Sequence, residues 1–177
     1  MRNPLNKQSL ELALSTMASR CKGDGAIFLT GGACAVYNGW REATLDIDLK
    51  IDPEPLKIYE AIQYVKRQCN INIELASPAD FIPELQGWRE RSVWIKRYGS
   101  IDVFHYDFLS QALSKIERHN DQDIEDVFNF FRHQGLSEKA LIEAFDQIRN
   151  QLIKYPRLEE EVFERKLMRA IELWNQQ

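Results

Sequence analysis

The stretch Phe28-Leu29-Thr30-Gly31-Gly32 decides the fold of this chain, together with Asp46-Ile47-Asp48, which begins fourteen residues after Gly32. The first stretch is a short apolar run that ends in two glycines. The second lies in a run, residues 45–51, in which apolar and charged side chains alternate. These patterns predict a buried strand that turns into a helix, followed by a half-buried strand. We therefore expect a backbone pocket for an anion close to a pair of carboxylates.

Asp46 and Asp48 are two residues apart on a predicted strand, so their side chains point to the same face of the sheet. Two like charges about 4 Å apart cost about 4 kcal/mol at an effective dielectric constant near 20, and a bound divalent cation reverses this cost. Oxygen ligands with no Cys or His nearby favour Mg²⁺ or Mn²⁺ over zinc. The pair by itself is also typical of a solvated strand face.

Gly31 and Gly32 stand between a predicted strand and a predicted short helix, residues 33–38. Glycines at this point allow backbone N–H groups to approach a phosphate at the positive end of the helix dipole. A Gly-Gly pair alone is more typical of a turn, so the prediction depends on its combination with the aspartates. The chain lacks G-x-G-x-x-G and has no G-K-[ST] after the glycines, so neither a dinucleotide-binding fold nor a P-loop is supported.

The residue pattern divides the chain near residue 106. Before that point we predict strands over about 26–30, 45–51, 71–75, 92–98 and 101–106, with helices over about 5–22, 33–38 and 55–69. After it we predict only helices, over about 108–117, 121–132, 137–153 and 158–174. The expected organisation is therefore an α/β core in residues 1–106 and a helical region in residues 107–177.

Composition excludes several classes of protein. The 177 residues are 44% hydrophobic and 28% charged, as in ordinary globular domains. The apolar runs are too short for a transmembrane helix, and the polar start lacks the apolar segment of a secretory signal, so we expect a cytoplasmic protein with no membrane partner. The three cysteines form no C-x-x-C pair, which argues against a disulfide framework and a thiolate zinc site.

The net charge of −4 argues against a broad basic surface for nucleic acid. One local exception is a basic and aromatic segment between residues 88 and 98. It is either the solvated side of a strand or an RNA or nucleotide contact in which stacking and charge combine. Its members are Trp88, Arg89, Arg91, Trp94, Lys96, Arg97 and Tyr98.

A strand ending in Gly31-Gly32, a short helix, and then Arg41-x-x-Thr44-x-Asp46-Ile47-Asp48 resembles the nucleotidyltransferase superfamily that includes DNA polymerase β. The order glycine pair, arginine, threonine and D-I-D is most similar to bacterial abortive-infection type nucleotidyltransferase toxins. The resemblance covers about residues 26–133. The sequence is also similar to an uncharacterised bacterial subgroup of the same superfamily. The further segments that carry it are Phe81-Ile82-Pro83, Gly87-Trp88, His105-Tyr106-Asp107 and residues 112–118.

The resemblance implies an α+β fold, with a mixed β-sheet, flanking helices and a C-terminal helical part. It implies metal-dependent transfer of a nucleotidyl group from an NTP to an acceptor hydroxyl, with a toxin-like role. Asp46 and Asp48 would hold Mg²⁺ or Mn²⁺ together with a third carboxylate from a later strand. The implied nucleotide contacts are Gly31, Gly32, Arg41, Thr44 and Lys115.

The third carboxylate has three candidates. Asp102 is our first choice, because it shares a face with Phe104 and Tyr106 and core packing does not explain a carboxylate there. Asp107 is the second, although it begins a predicted helix and is equally explained as its N-cap. Glu74, on the preceding predicted strand, is the third.

Two other classes of function stay open. One is a nucleotide-binding or interaction module that kept the fold and lost transfer, and the other is an interaction protein such as an antitoxin-like regulator. If the protein is an enzyme, the sequence leaves its acceptor open among a tRNA end, a protein hydroxyl and a small molecule. An antitoxin-like protein partner would accompany a toxin role.

Overall fold

Five strands form one mixed sheet in the computed structural model, which describes residues 4–177. The chain divides into two compact units, residues up to Ser77 with Ser92–Tyr106, and Pro78–Arg91 with Asp107–Gln177. In chain order the first unit contains α1 (Lys7–Arg20), β1 (Gly25–Leu29), α2 (Gly31–Tyr37), β2 (Asp46–Ile51), α3 (Ile58–Cys69), β3 (Asn72–Leu75), β4 (Val93–Tyr98) and β5 (Ile101–His105). The second unit thus takes in the segment Pro78–Arg91, which lies between β3 and β4 in the sequence.

The order of strands in the sheet is β3-β2-β1-β5-β4. β1 pairs antiparallel with β2 and parallel with β5, while β3 runs parallel to β2 and β4 antiparallel to β5. The sheet is therefore mixed, and the predicted α+β class is confirmed. Because β1 lies at the centre, the end of β1 adjoins both β2 and β5.

One face of this sheet forms the core of the first unit. Side chains along β2 alternate between buried and half-buried, which is the period-two pattern of a strand with one covered face. The covered face packs with α1 and α3, and burying an aliphatic side chain of this kind contributes about 1.5–3 kcal/mol. The aliphatic residues of this core include Leu10, Leu14, Met17, Ile27, Leu29, Ile47, Leu49, Ile62, Val65 and Val103.

The second unit is helical. Its elements are a 3₁₀ turn (Pro78–Asp80), α4 (Trp88–Arg91), α5 (Phe108–Arg118), α6 (Asp121–Gln134), α7 (Glu138–Arg149), a 3₁₀ turn (Leu152–Lys154) and α8 (Glu160–Asn175). Aromatic pairs support its core, including Phe108 with Phe130 at 5.1 Å and Phe145 with Phe163 at 5.0 Å between ring centroids. Ser137 caps α7 as predicted, accepting a hydrogen bond from the Ala140 N–H.

The predicted elements differ from the observed ones in two places. The helix predicted over 137–153 ends at Arg149 and continues as the 3₁₀ turn Leu152–Lys154. The one-turn helix α4 falls in a segment to which we assigned neither a helix nor a strand. Within residues 4–177, no helix combines the length and apolar character that crossing a membrane requires.

Candidate nucleotide and metal site

The first residue of α2, Gly31, lies against Asp48 of the aspartate pair. The Thr30 N–H donates a hydrogen bond to the Asp48 carbonyl at 3.0 Å, which ties the end of β1 to β2. Gly31 follows with φ +55°, a left-handed conformation that disfavours other residues. A Cβ atom on Gly31 would lie 2.7 Å from Asp48 Oδ2. Glycine therefore lets the backbone reach the carboxylate.

The second glycine lies against the loop that precedes β2. A Cβ atom on Gly32 would collide with the Thr44 hydroxyl and lie 3.0 Å from Thr44 Cβ and 3.1 Å from Arg41 Nη1. The Thr44 hydroxyl donates to the Asp46 carbonyl at 3.2 Å, which fixes the start of β2. Gly31, Gly32, Arg41, Thr44 and Asp48 are thus brought together.

Asp46 and Asp48 share the face of β2 opposite the core. Both side chains are half-buried, whereas Ile47 between them is fully buried. Their Cα atoms are separated by two strand steps, about 6.6 Å. The predicted pairing of the carboxylates on one face is therefore present in the structure.

Asp102 is not brought to this pair. In the parallel pairing of β1 with β5, Asp102 lies opposite Ala26, whereas the Asp48 carbonyl accepts a hydrogen bond from Thr30, four residues after Ala26. Four strand steps correspond to about 13 Å, and β1 lies between β2 and β5. The expectation that Asp102 shares a metal with Asp46 and Asp48 is contradicted by this register.

The carboxylate that the register does bring alongside is Glu74. β3 pairs in parallel with β2 so that Asp46 lies opposite Asn72 and Asp48 opposite Glu74. Paired residues on adjacent strands share a face of the sheet, and the Asn72 amide donates to Glu74 Oε1 at 2.5 Å. In the sequence, the alternation Asn72-Ile73-Glu74 indicates that Asn72 and Glu74 share a face of β3. Asn72 was not among the residues predicted for the site.

Asp107 has a structural role in the second unit. Its side chain caps α5, accepting from the N–H groups of Leu109 and Ser110, and from the Ser110 hydroxyl at 2.6 Å. The Arg91 guanidinium binds both carboxylate oxygens, at 3.0 and 2.8 Å. The N-cap interpretation of Asp107 is therefore correct.

Lys115 also lies in the second unit, where it is buried in a cluster of charges. Its Nζ donates to Asp126 Oδ2 at 2.6 Å and to Asp123 Oδ1 at 3.1 Å. Arg118 reaches the same Asp123 oxygen at 2.7 Å. The lysine ammonium is thus held by two carboxylates of α6.

A histidine that sequence reasoning left aside supports α2 from the core side. His105 Nδ1 lies 3.3 Å from Cys34 Sγ, and Nε2 lies 3.2 Å from the Asn38 amide nitrogen. Burial, together with the positive charge of Lys7, lowers the pKa of His105 to about 4. His105 is therefore neutral near pH 7 and packs beneath the helix that starts with the glycine pair.

The donor set fits a hard divalent cation. Mg²⁺ is typically bound by one or two carboxylates with substrate phosphates and water completing its octahedron, and Asp46 and Asp48 supply that number of carboxylates. Within residues 4–177, no group of three His, Cys, Asp or Glu side chains is already gathered for a metal. Because α2 has only seven residues, an anion here would be held by the glycine backbone and Arg41 rather than by a helix dipole.

A mixed sheet in which a glycine turn meets an aspartate pair on the neighbouring strand is the arrangement expected of nucleotidyltransferases. Residues 7–169 match the model of a family described as nucleotidyltransferase of unknown function (DUF6036), and the chain belongs to that family. The predicted membership of the nucleotidyltransferase superfamily is thereby confirmed. Comparison with curated proteins and with solved structures gave no significant match.

Proposed function

We propose that this protein transfers a nucleotidyl group from an NTP to an acceptor hydroxyl in a reaction that depends on Mg²⁺ or Mn²⁺. The observation that carries the proposal is the close approach of Gly31 to the Asp48 carboxylate, because it brings the glycine backbone beside a candidate metal ligand. Family membership supports the same chemistry. When bound, the metal would neutralise charge on the phosphates and lower the pKa of the attacking hydroxyl.

The residues of the chain have distinct parts in this proposal. Asp46 and Asp48 hold the cation, and Gly31 and Gly32 leave the space that a triphosphate needs. Arg41, whose Nη1 lies beside Gly32, contributes positive charge toward the phosphates. Thr44 fixes the backbone of β2 through the Asp46 carbonyl. We assign the third carboxylate to Glu74, since its register opposite Asp48 brings it to the same face.

The experiment that tests the proposal is incubation of the purified protein with each labelled NTP, Mg²⁺ and either total tRNA or a cell lysate. Label appearing on RNA, protein or a small molecule identifies the acceptor class. Asp48→Asn should lower the rate at least about 100-fold, because a metal-held carboxylate contributes several kcal/mol to the barrier. Asp52→Asn, four residues further along the chain and just past the end of β2, is the matched control. Unchanged transfer by Asp48→Asn would reject the mechanism.

One observation favours a second candidate, a nucleotide-binding or interaction module that has lost transfer. Residues 4–177 do not hold three acidic side chains in a ready-made cluster. Calorimetry of ATP binding with and without Mg²⁺, beside the transfer assay, separates the two candidates. Metal-dependent binding without transfer to any acceptor would select the module.

Because the sequence resembles abortive-infection toxins, we also propose an effect of this protein on cell growth. A toxin-like transferase would arrest growth when its gene is expressed, and an antitoxin-like protein would bind and neutralise it. Expression of the unaltered protein should therefore slow growth. The Asp48→Asn variant should accumulate to the same level in the cell without slowing growth. Equal toxicity of the two proteins would separate any growth effect from nucleotidyl transfer.

A further inference from the structure

One exposed aromatic side chain stands on the same face of the sheet as the aspartate pair. Trp94 on the edge strand β4 is 57% exposed, although tryptophan is usually largely covered in folded proteins. Its register partner on β5 is Phe104. Phe104 in turn pairs with Phe28 on β1, and Phe28 pairs with Lys50 on β2. A cross-strand row therefore runs from β2 to the open edge of the sheet.

Two aromatic rings of this row stack on each other behind the position of Trp94. The rings of Phe28 and Phe104 stack with centroids 5.0 Å apart and an angle of 18° between their planes. Phe28 is fully buried, Phe104 is half-buried and Trp94 is exposed, so solvent exposure increases along the row toward the indole.

Asp102 fixes the orientation of the indole. The Trp94 Nε1–H donates to Asp102 Oδ1 at 3.2 Å, and Arg97 Nη1 lies 3.7 Å from the other oxygen of the same carboxylate. The carboxylate that lies too far along β5 to join Asp48 thus holds an exposed tryptophan and an arginine side by side. This contact explains a carboxylate at position 102 without a metal.

The character of β4 favours a nucleic acid over an added protein strand. The strand Val93–Tyr98 contains Lys96 and Arg97 and no acidic residue. A β-bulge interrupts its pairing with β5 between Trp94 and Lys96. Bulges and basic residues on an edge strand disfavour strand addition, whereas an exposed indole beside an arginine suits stacking with an unpaired base.

The position of Trp94 relative to Asp48 also suits an acceptor strand. Three strand spacings separate β4 from β2, and the row of Trp94 lies two residues from the row of Asp48. These offsets place the two residues about 16 Å apart on one face of the sheet. A single strand whose terminal hydroxyl reached Asp48 would therefore have an upstream base near Trp94.

We propose that Trp94 is a stacking contact for a base of a single-stranded RNA acceptor, and that Asp102 is its positioning residue. The inference rests on the proposed nucleotidyl transfer and names RNA as its acceptor class. Trp94 takes no part in NTP binding in this scheme. Its effect belongs to the affinity for RNA and disappears for an acceptor too short to reach it.

The first test measures RNA binding without NTP or metal. Fluorescence anisotropy of a short dye-labelled single-stranded RNA should show binding about 5- to 100-fold weaker for Trp94→Ala than for the unaltered protein. Tyr59→Ala, which removes a half-exposed ring from α3, is the matched control and should bind as the unaltered protein does. The proposal is overturned if the unaltered protein binds no RNA, if Trp94→Ala binds equally well, or if both variants lose affinity alike.

The second test addresses Asp102. Asp102→Asn keeps an oxygen that accepts from the indole N–H and should retain RNA affinity, whereas Asp102→Leu should lose about fivefold or more. In transfer assays Asp102→Leu should raise KM for RNA and leave kcat unchanged, a split that general loss of structure does not produce. Equal behaviour of the Asn and Leu variants would remove Asp102 from the proposal.

A third comparison separates this inference from the proposed function. Trp94→Ala should match the unaltered protein in transfer to a single nucleoside and fall behind as the RNA acceptor lengthens. Transfer to RNA with no effect of Trp94→Ala at any length would reject the stacking contact alone. RNA binding that depends on Trp94, without transfer to any acceptor, would reject the proposed nucleotidyl transfer and support the stacking contact.

Discussion

Gly31 combines two constraints at one residue. Its φ of +55° costs other residues about 1–2 kcal/mol, and any Cβ there would meet the Asp48 carboxylate. Gly39, at the end of α2, shares the first constraint with φ +76° but has no atom within 4 Å of the Cβ position. The two glycines therefore separate backbone strain from displacement of the carboxylate.

We predict that Gly31→Ala lowers transfer at least tenfold, because its methyl group would displace Asp48 Oδ2 from the proposed cation site. Gly39→Ala should destabilise the fold to a similar degree, by about 1 kcal/mol, and keep its transfer rate. Thermal unfolding and the labelled-NTP assay measure the two effects. An equal loss of transfer in both variants would assign the effect to strain.

Strand pairing, at the scale of the element, decides which acidic residues meet. Asp46, Asp48 and Asp102 all lie on strands whose alternation exposes them on one face. The parallel register of β3 with β2 brings Glu74 opposite Asp48, while the register of β5 with β1 takes Asp102 four residues away. The two carboxylates differ in register and not in local pattern.

We predict that Glu74→Gln lowers transfer about 10- to 100-fold and leaves ATP affinity within a factor of two or so, since it removes one negative oxygen beside the proposed metal ligands. Glu60→Gln on the exposed side of α3 is the control and should have no effect. Initial rates over a range of Mg²⁺ concentrations are the measurement. Rates that match the unaltered protein at every concentration would exclude Glu74.

The helices α5 and α6 are joined by the buried ion pairs of Lys115. Removing the ammonium leaves Asp123 and Asp126 buried with less positive charge, and breaking a buried pair in this way typically costs about 3–5 kcal/mol. We predict a loss of that size in the free energy of unfolding for Lys115→Met, measured by urea denaturation. Lys139→Met, at a side chain that is 84% exposed, should change it by less than about 0.5 kcal/mol.

The same variant tests the sequence-based expectation that Lys115 reaches the triphosphate. A structural lysine gives reduced stability, and the folded fraction keeps its ATP affinity. A lysine that contacts phosphate gives the reverse, weaker ATP binding with the stability retained. Calorimetry at a temperature where the variant is folded distinguishes the two.

Stability of the whole molecule should fall in acid because of His105. Its pKa is about 4 when folded and about 6.5 when unfolded, so between these values the unfolded chain binds a proton that the folded chain does not. The unfolded state is therefore favoured as the pH falls from about 6.5 to about 4. Burial of the ring is the main cause, and the charge of Lys7 adds to it.

We predict that this group removes at most about 3 kcal/mol of stability over that interval. The measurement is the free energy of unfolding in urea at pH 7, 6, 5 and 4.5. His105→Gln should be less stable at pH 7 and show a shallower decline, whereas His133→Gln on the surface should follow the unaltered protein. A decline of the same steepness in His105→Gln would assign the acid sensitivity to carboxylates.

Much of the architecture followed from the sequence because it depends on neighbours along the chain. The alternation of Asp46, Ile47 and Asp48 determined that the two carboxylates share the uncovered face of a strand. The glycine pair after an apolar run determined where β1 ends and a helix begins. Their combination was enough to predict the superfamily that the family match confirmed.

Only the tertiary structure decided which distant residues complete the site. Register between strands is set by hydrogen bonds between segments far apart in sequence, and no local pattern records it. The sequence therefore could not separate Glu74 beside Asp48 from Asp102 beneath Trp94, nor show that Lys115 is held by Asp123 and Asp126. Alternation fixes the face on which a side chain lies, whereas the residues beside it on that face depend on the register with the partner strand.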